Sequence, residues 1–260
     1  MKETRTLLRT LLASGVALAM VGSLAAQTVQ QSVATVVRIK GAARYATGGK
    51  AGQLLKVGDI IQPGSVIQTA DKSRVDIVMG EESIPSPAAA AAAASSASSY
   101  QPTADQNMIR LWENTLLGFD KMTVTQTGAD EVSDTQLDLK AGHVFGTVKK
   151  MSAASKYEVK IPNGVAGIRG TVYDISAEGV VKVLSGSVVL AYVGPDGTVV
   201  TQVVMGLQQF DAPVNTLKPL PETEKNVLDK CRHDMPHRPP GTPRPPPGPP
   251  PWVPPSRFRP

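Results

Sequence analysis

The residues with the types and spacing best suited to chemistry lie in NGVAGIRGTVYDIS, residues 163–176. A phosphate-binding loop needs the order Gly-x-x-x-x-Gly-Lys-Ser/Thr between a strand and a helix, so that amides and a helix N-terminus face the anion. Here Gly170 is followed by Thr171 without a lysine, and the residues after it have a strand pattern rather than a helix pattern. The stretch is therefore predicted to be a place where strands turn or approach closely, with Arg169 either solvated or paired with a carboxylate.

Metal binding has one candidate cluster, in the stretch CRHDMPH. Cys231, His233 and His237 carry side chains of types that bind Zn²⁺ or Cu²⁺. They stand at the edge of a proline-rich tail, and no second cluster completes a rigid site. We therefore expect no metal and no other cofactor. The single cysteine cannot close an internal disulfide, so the fold must rely on packing.

Hydrolytic chemistry has no credible set of residues in this sequence. The Gly-x-Ser-x-Gly elbow of a nucleophilic serine is missing, and the Ser-Gly-Ser at 185–187 lies between strands. No pair of carboxylates stands out as an acid and a base. Asp59 follows a glycine at a predicted turn, where an aspartate usually accepts hydrogen bonds from nearby backbone amides. We expect that the protein is not an enzyme.

The elements that position these residues are predicted to be β-strands almost throughout. Val75, Ile77 and Met79 alternate with the residues between them, and the same period of two recurs in several short segments bounded by Gly, Pro and Asp. The segments LKVGDII, LKAGHVF and VLSGSVV each place a glycine, at 58, 142 and 186, before a pair of apolar or β-branched residues. These three glycines are predicted to be corners reused around one core. The one fair helix candidate is PETEKNVLDKC, residues 221–231.

Composition divides the chain into one folded domain and three segments of a different kind. Basic residues followed by an apolar run and Ser23-Leu24-Ala25 predict a signal peptide, and hence a periplasmic or secreted protein. The net charge of +5 is concentrated at the two ends, so a nucleic-acid surface is not supported. We expect membrane association only through a partner or an uncleaved signal segment. The predicted segments are 1–25 for the signal peptide, 30–215 for the β-domain with a low-complexity insertion at 84–105, 216–234 for a connector that can hold a short helix, and 235–260 for a disordered proline-rich tail.

Over residues 36–192, the sequence resembles the FecR domain family. The resemblance is carried by LLKVGDIIQPGSVIQT together with VAGIRGTVYDIS, and it implies an extracytoplasmic all-β domain of irregular β-solenoid-like or twisted β-sandwich form. The positions that match the family pattern are expected to be structural, and they are Gly58, Asp59, Gly64, Thr69, Gly142, Arg169, Gly170, Thr171 and Gly186. In the best-known members, the domain passes a signal from an outer-membrane iron transporter to a sigma factor.

Two functions follow as expectations. Only nine residues precede the apolar segment, and a proline-rich tail follows the β-domain where such regulators have a small α/β domain. The sequence therefore favours an exported binding or envelope-structural module that engages a protein or a cell-envelope polymer. The alternative is a periplasmic component of a FecR-type signalling system, linked to iron uptake and acting through a membrane partner.

Overall fold

The computed structural model describes residues 29–82, 107–127, 130–194 and 196–235. The predicted signal peptide, the Ala/Ser insertion and the proline-rich tail beyond residue 235 lie outside these residues. Among the described residues, no helix combines the length and the apolar character needed to cross a membrane.

The described residues form sixteen strands and one helix. The first eight strands are β1 (Val29–Lys40), β2 (Ala43–Thr47), β3 (Gln53–Leu54), β4 (Ile60–Ile61), β5 (Ser65–Thr69), β6 (Arg74–Glu82), β7 (Asn107–Leu111) and β8 (Leu116–Thr127). The remaining elements are β9 (Asp130–Ala141), β10 (His143–Thr147), β11 (Lys156–Ile161), β12 (Gly164–Ser176), β13 (Val180–Val193), β14 (Val199–Met205), β15 (Gln208–Asp211), β16 (Thr216–Pro219) and the helix α1 (Glu222–Asp234).

Eight of the strands are hydrogen-bonded in a closed ring. Its order is β12, β10, β7, β6, β1, β8, β9, β11 and back to β12. All neighbours in the ring are antiparallel except β9 and β11, which run parallel. The other strands extend the sheet away from the ring, with β13 to β16 beyond β12 and β2 to β5 beyond β8 and β1. Closure leaves these eight strands without an unpaired edge along most of their length, which is a stable solution for an antiparallel sheet.

The main hydrophobic core lies inside the ring and under the strands that extend it. Alternate residues such as Val75 and Ile77 of β6 point inward and are fully buried. Two tyrosines, Tyr157 and Tyr173, are buried there as well, and the hydroxyl of Tyr173 donates to that of Tyr157 at 3.2 Å. Burial raises the pKa of both hydroxyls, so the two tyrosines are neutral.

A second, smaller core lies on the outer face of the sheet, beneath helix α1. Leu228, Cys231 and Met235 from the helix end of the chain are buried against side chains of the sheet, among them Phe145 and Leu184. The helix begins after Pro221, whose φ of −58° suits a helix start, and has Glu222 and Glu224 in its first turn. Its last turn carries basic residues, which the helix dipole also favours.

The structure confirms the all-β single domain predicted from the sequence. The predicted helix at 221–231 is present as α1, which extends to Asp234. Strand β16 and the helix occupy the segment 216–234 that the sequence assigns to a connector, and both are tied to the sheet, β16 by pairing with β15 and the helix by the second core.

Candidate functional site

The glycine-rich stretch 163–176 is almost entirely strand β12. This strand pairs with β11 and β10 along one side and with β13 along the other, so most of its backbone lies between paired strands. The register shifts between Arg169 and Val172, which makes a β-bulge, and Gly170 has a φ of +63°. The stretch therefore bends a strand, as the spacing of its residues predicts.

Thr171 ties this bulge to the neighbouring strand. Its side chain is buried, and its hydroxyl donates to the carbonyl oxygen of Ser187 at 2.8 Å and accepts from the Ser187 amide at 3.2 Å. Arg169 lies on the exposed side, where its guanidinium donates to the carbonyl oxygen of Met151 at 3.3 Å. Its neighbour is therefore a main-chain carbonyl, whereas the sequence left solvent or a carboxylate as the alternatives.

The other family-pattern residues occupy turns and strand crossings spread over the domain. The glycines at 58, 142 and 186 have φ values of +92°, +75° and +86°, and Gly64 has +81°. The carboxylate of Asp59 accepts from the Lys56 amide at 2.8 Å, and Thr69 accepts from the Thr115 amide at 2.9 Å. These glycines therefore adopt backbone conformations that favour glycine, and Asp59 and Thr69 bond to nearby backbone amides.

The candidate metal cluster is split by the structure. Cys231 is buried in the second core, where burial raises the pKa of its thiol against the opposing influence of Arg110. His233 is exposed, and its Nδ1 lies 2.8 Å from the carbonyl oxygen of Asp229. His237 lies outside the described residues. Within the described part of the chain, no three His, Cys, Asp or Glu side chains gather in a metal-binding group.

A charge network that the sequence did not predict lies on the outer face of the sheet, with Asp76 and Arg110 buried at its centre. Asp76 is fully buried and accepts from Arg110 at 2.6 and 3.1 Å and from Arg38 at 2.6 Å. Burial alone would lower the pKa of Arg110, but the hydrogen bond and charge of Asp76 outweigh it and raise that pKa. Arg38, Asp76 and Arg110 each alternate with apolar residues in their strands. Charged residues in such a pattern normally face solvent, so the sequence contained no sign that they form a network.

Helix α1 lies across this face and ends on the network. The strand register places Arg110, Phe145, Asp174 and Lys182 in one row across β7, β10, β12 and β13. With strands about 4.8 Å apart, the row measures roughly 14 Å from Arg110 to Lys182. Ten helical residues rise about 15 Å. That match lets Glu224 bond to Lys182 at 2.8 Å while, ten residues later, Asp234 meets Arg110 at 3.2 Å.

Asp234, at the C-terminal end of helix α1, forms salt bridges with three arginines of the sheet. Its Oδ2 lies 3.3 Å from Arg38, 3.4 Å from Arg74 and 3.2 Å from Arg110. Desolvation would raise the pKa of this carboxyl, but the three guanidinium groups outweigh it and lower the pKa below its ordinary value. A carboxyl with a depressed pKa in the folded state stabilises that state above its unfolded pKa, near 3.9, and loses the effect as the pH falls through its folded pKa.

We expect the Asp234→Asn variant to be less stable than the parent at neutral pH, because a charged contact with the three arginines is lost. The difference in the free energy of unfolding should stay constant above about pH 5 and shrink as the pH falls below about 4, where the parent carboxyl is also protonated. Urea unfolding between pH 3 and pH 8 measures it. Asp229→Asn on the same helix is the control, because Asp229 makes no salt bridge among the described residues. A difference between Asp234→Asn and the parent that does not change with pH would contradict this.

The second feature of the site is an exposed apolar face on β12, β13 and β14. Its side chains are exposed on one side of the sheet and lie in adjacent rows. One row aligns Gly167, Val189 and Val203, and the next aligns Val165, Ala191 and Thr201. We call this the apolar face, and its members are Val165, Val189, Ala191, Val193, Val199, Thr201, Val203 and Met205. Val199 is 75% exposed and Met205 is 53% exposed. Contiguous exposed apolar side chains are unusual on a soluble domain and mark surfaces that bind other molecules.

A family model described as FecR protein matches residues 88–189. The predicted resemblance to the FecR family is confirmed over these residues. The matched region is shorter than the resemblance over residues 36–192, and strands β1 to β6 lie before its first residue. No curated protein matches the sequence.

Among solved structures, the chain is similar to two crystal structures of a protein from Parabacteroides distasonis ATCC 8503 that is assigned as an anti-sigma factor. The sequence identities are 14% and 13%, and the TM-scores are 0.32 and 0.31. Each likeness covers 45% of this chain and 52% of the other, so the chain spans about half the length of those proteins.

The described part of the matched region runs from β7 to Val189 in β13. It contributes Arg110 to the charge network, Gly170 and Thr171 to the bulge, and Val165 and Val189 to the apolar face. Asp76 and Arg38 come from strands before it. The closed ring therefore combines strands of the matched region with strands from the earlier part of the chain, and both contribute residues to the charge network.

Proposed function

We propose that this protein is an exported component of a FecR-type signalling system, and that it acts by binding a protein partner. The observation that carries the proposal is the FecR domain at residues 88–189. Members of the family with known roles relay signals across the cell envelope by contacts between proteins. The predicted signal peptide supports a location in the periplasm, where such a relay operates.

The apolar face supports binding as the mode of action. The core of a protein interface is depleted in charged residues, and the members of this face are uncharged, with Arg169 at its border in the row of Ser187 and Met205. The same sheet becomes charged on the next strand, where Glu158 and Lys160 of β11 pair with Gly167 and Val165 of β12. An apolar centre beside a charged rim is the usual anatomy of a protein-binding surface.

A structural module that binds a cell-envelope polymer is the second candidate, and it was the first expectation from the sequence. Polysaccharides are polar, and their binding sites present many hydrogen-bonding side chains. Among the members of the apolar face, Thr201 alone has a hydrogen-bonding side chain, and Ser187 lies at the border beside Met205. The composition of the face thus favours a protein partner.

Photo-crosslinking in cells tests the proposed function. A photoreactive amino acid at Val189, in the middle of the apolar face, should become linked to an envelope protein of a signalling system that mass spectrometry identifies. The same amino acid at Val227 is the control, because Val227 is exposed to a similar extent, 51% against 45%, and lies on helix α1 away from the face. Deleting the gene should change transcription of the genes under that system.

Two results would argue against the proposal. The first is equal crosslinking from positions 189 and 227, which would mean that the face has no specific partner. The second is co-sedimentation with peptidoglycan that a Val189→Lys substitution abolishes, together with unchanged transcription in the deletion strain. That second result would support the polymer-binding function.

A further inference from the structure

Free strand edges invite pairing with another strand, and proteins normally protect them with short length, charge or proline. Two free edges of this sheet are protected in that manner. Strand β3, at one end of the sheet, has only two residues. Strand β16, at the other end, carries Lys218 and Pro219. These edges are poor templates for another chain.

Strand β14 is a free edge without this protection. It pairs with β13 alone among the described strands, and it runs for seven residues, VVTQVVM. It contains no charged residue and no proline. Its side chains of Val199, Val203 and Met205 are all exposed. The other two free edges are protected, whereas β14 is long, uncharged and apolar. This difference indicates that β14 pairs with another strand.

The backbone of β14 presents hydrogen-bonding groups at this edge. The Met205 amide donates to the side chain of Gln208 at 2.8 Å, and the Val203 carbonyl oxygen accepts from the Gln202 side chain at 2.8 Å. The odd-numbered residues of the strand therefore direct their amides and carbonyls away from β13, because these groups alternate in direction along an antiparallel strand. The Val203 oxygen keeps a second lone pair for another donor.

We propose that β14 pairs antiparallel with β14 of a second copy of this chain, forming a two-fold symmetric dimer with a continuous sheet. Thr201 lies at the centre of the strand, so the two-fold axis places Thr201 opposite Thr201 and Val199 opposite Val203. Each of these pairs exchanges two backbone hydrogen bonds. The two apolar faces then join into one surface across the axis.

Charge favours a second copy as the occupant. A symmetric contact brings every residue near its own equivalent, so any charge at the axis would repel its copy. Strand β14 has none, whereas β11, which carries Lys156, Glu158 and Lys160, lies beyond β13 and β12 and stays away from the axis. The proline-rich tail is a poor occupant, because 13 of its residues are prolines without an amide hydrogen to donate.

Sedimentation equilibrium of the purified mature chain, residues 26–260, tests the pairing. We expect a dimer in the micromolar range and a dissociation constant raised at least about tenfold by Val203→Lys, which places two ammonium groups near the axis. Leu217→Lys is the matched control, because Leu217 is 42% exposed against 46% for Val203 and lies on the protected edge β16. The control should change the dissociation constant by less than about twofold, and thermal unfolding should be similar for both variants.

Disulfide trapping tests the register. The only native cysteine, Cys231, is buried, so a cysteine placed at an exposed site supplies the reactive thiol. Thr201→Cys should form a covalent dimer under mild oxidation, because paired strands bring opposite Cα atoms to about 5.5 Å, within disulfide range. Thr216→Cys on β16 should form it much more slowly.

A chain that remains monomeric at about 100 µM would overturn the proposal. Equal trapping from positions 201 and 216 would do the same. If the chain is monomeric and Val203→Lys abolishes the crosslinks of the proposed signalling partner, then β14 binds that partner and self-pairing is wrong. A dimer without a crosslinked partner would leave the pairing intact and remove support for the signalling function only.

Discussion

Asp76→Asn is expected to lower the free energy of unfolding by about 3–5 kcal/mol, since breaking a buried ion pair on one side leaves an uncompensated charge. Arg110 is 1% exposed, and Asp76 accepts two of its hydrogen bonds. Asparagine keeps the shape of the side chain but supplies no negative charge. Asp234 cannot fully replace the negative charge of Asp76. Its contact with Arg110 is longer, and its carboxylate also contacts Arg38 and Arg74. Urea unfolding followed by circular dichroism measures the loss.

A double substitution separates the ion pair from the packing of this site. Asp76→Leu combined with Arg110→Met removes both charges and fills the space with apolar atoms, which in other buried pairs is neutral or stabilising. We expect the double variant to be more stable than Asp76→Asn. A loss below about 1 kcal/mol for Asp76→Asn, within the range of an exposed ion pair, would mean that water reaches Arg110.

Gly186→Ala is expected to cost about 3 kcal/mol or more, by combining backbone strain with a steric clash. Gly186 has a φ of +86°, a conformation that is unfavourable for residues with a Cβ atom. An added Cβ would also lie 2.9 Å from the Cα of Thr171 and closer still to the carbonyl oxygen of Gly170. Both neighbours are backbone, and both belong to the bulge of β12, so relief requires a shift of the strand itself.

Gly58→Ala provides the matched comparison. Gly58 has a φ of +92°, but a Cβ there would have no atom within 4 Å. We therefore expect only the cost of backbone strain, about 1–2 kcal/mol. Thermal and urea unfolding of the two variants measure the difference. Equal losses at positions 58 and 186 would show that strain alone decides the cost and that the crossing of β12 and β13 yields easily.

The strands were largely predictable, because the alternation of apolar and polar residues that indicates a strand lies within a few neighbouring positions. The period of two identified Val75, Ile77 and Met79 as one face of a strand, and these residues are buried in the main core. Helix α1 was predictable from PETEKNVLDKC, with a proline before its first turn and acidic residues within it. The three glycine corners were visible from their repeated context.

The charge network was not predictable from the same reasoning. An arginine or aspartate that alternates with apolar residues normally faces water, and that pattern holds for Arg38, Asp76 and Arg110 alike. Asp76 and Arg110 are buried under helix α1, which lies about 100 residues or more away in sequence and covers the outer face of the sheet. Periodicity in a strand distinguishes two faces, but it does not say what covers either of them.

The sequence by itself determined that the chain forms an all-β domain, that a helix stands near residues 221–231, and that NGVAGIRGTVYDIS belongs to a strand. Only the tertiary structure decided that eight strands close into a ring, that three arginines contact two carboxylates at the end of the helix, and that β14 is a free edge among the described strands. The physical reason is the sequence separation over which each interaction acts. Alternation and turn chemistry act within a few residues, whereas strand order, coverage of a face and pairing of an edge depend on residues far apart in the chain.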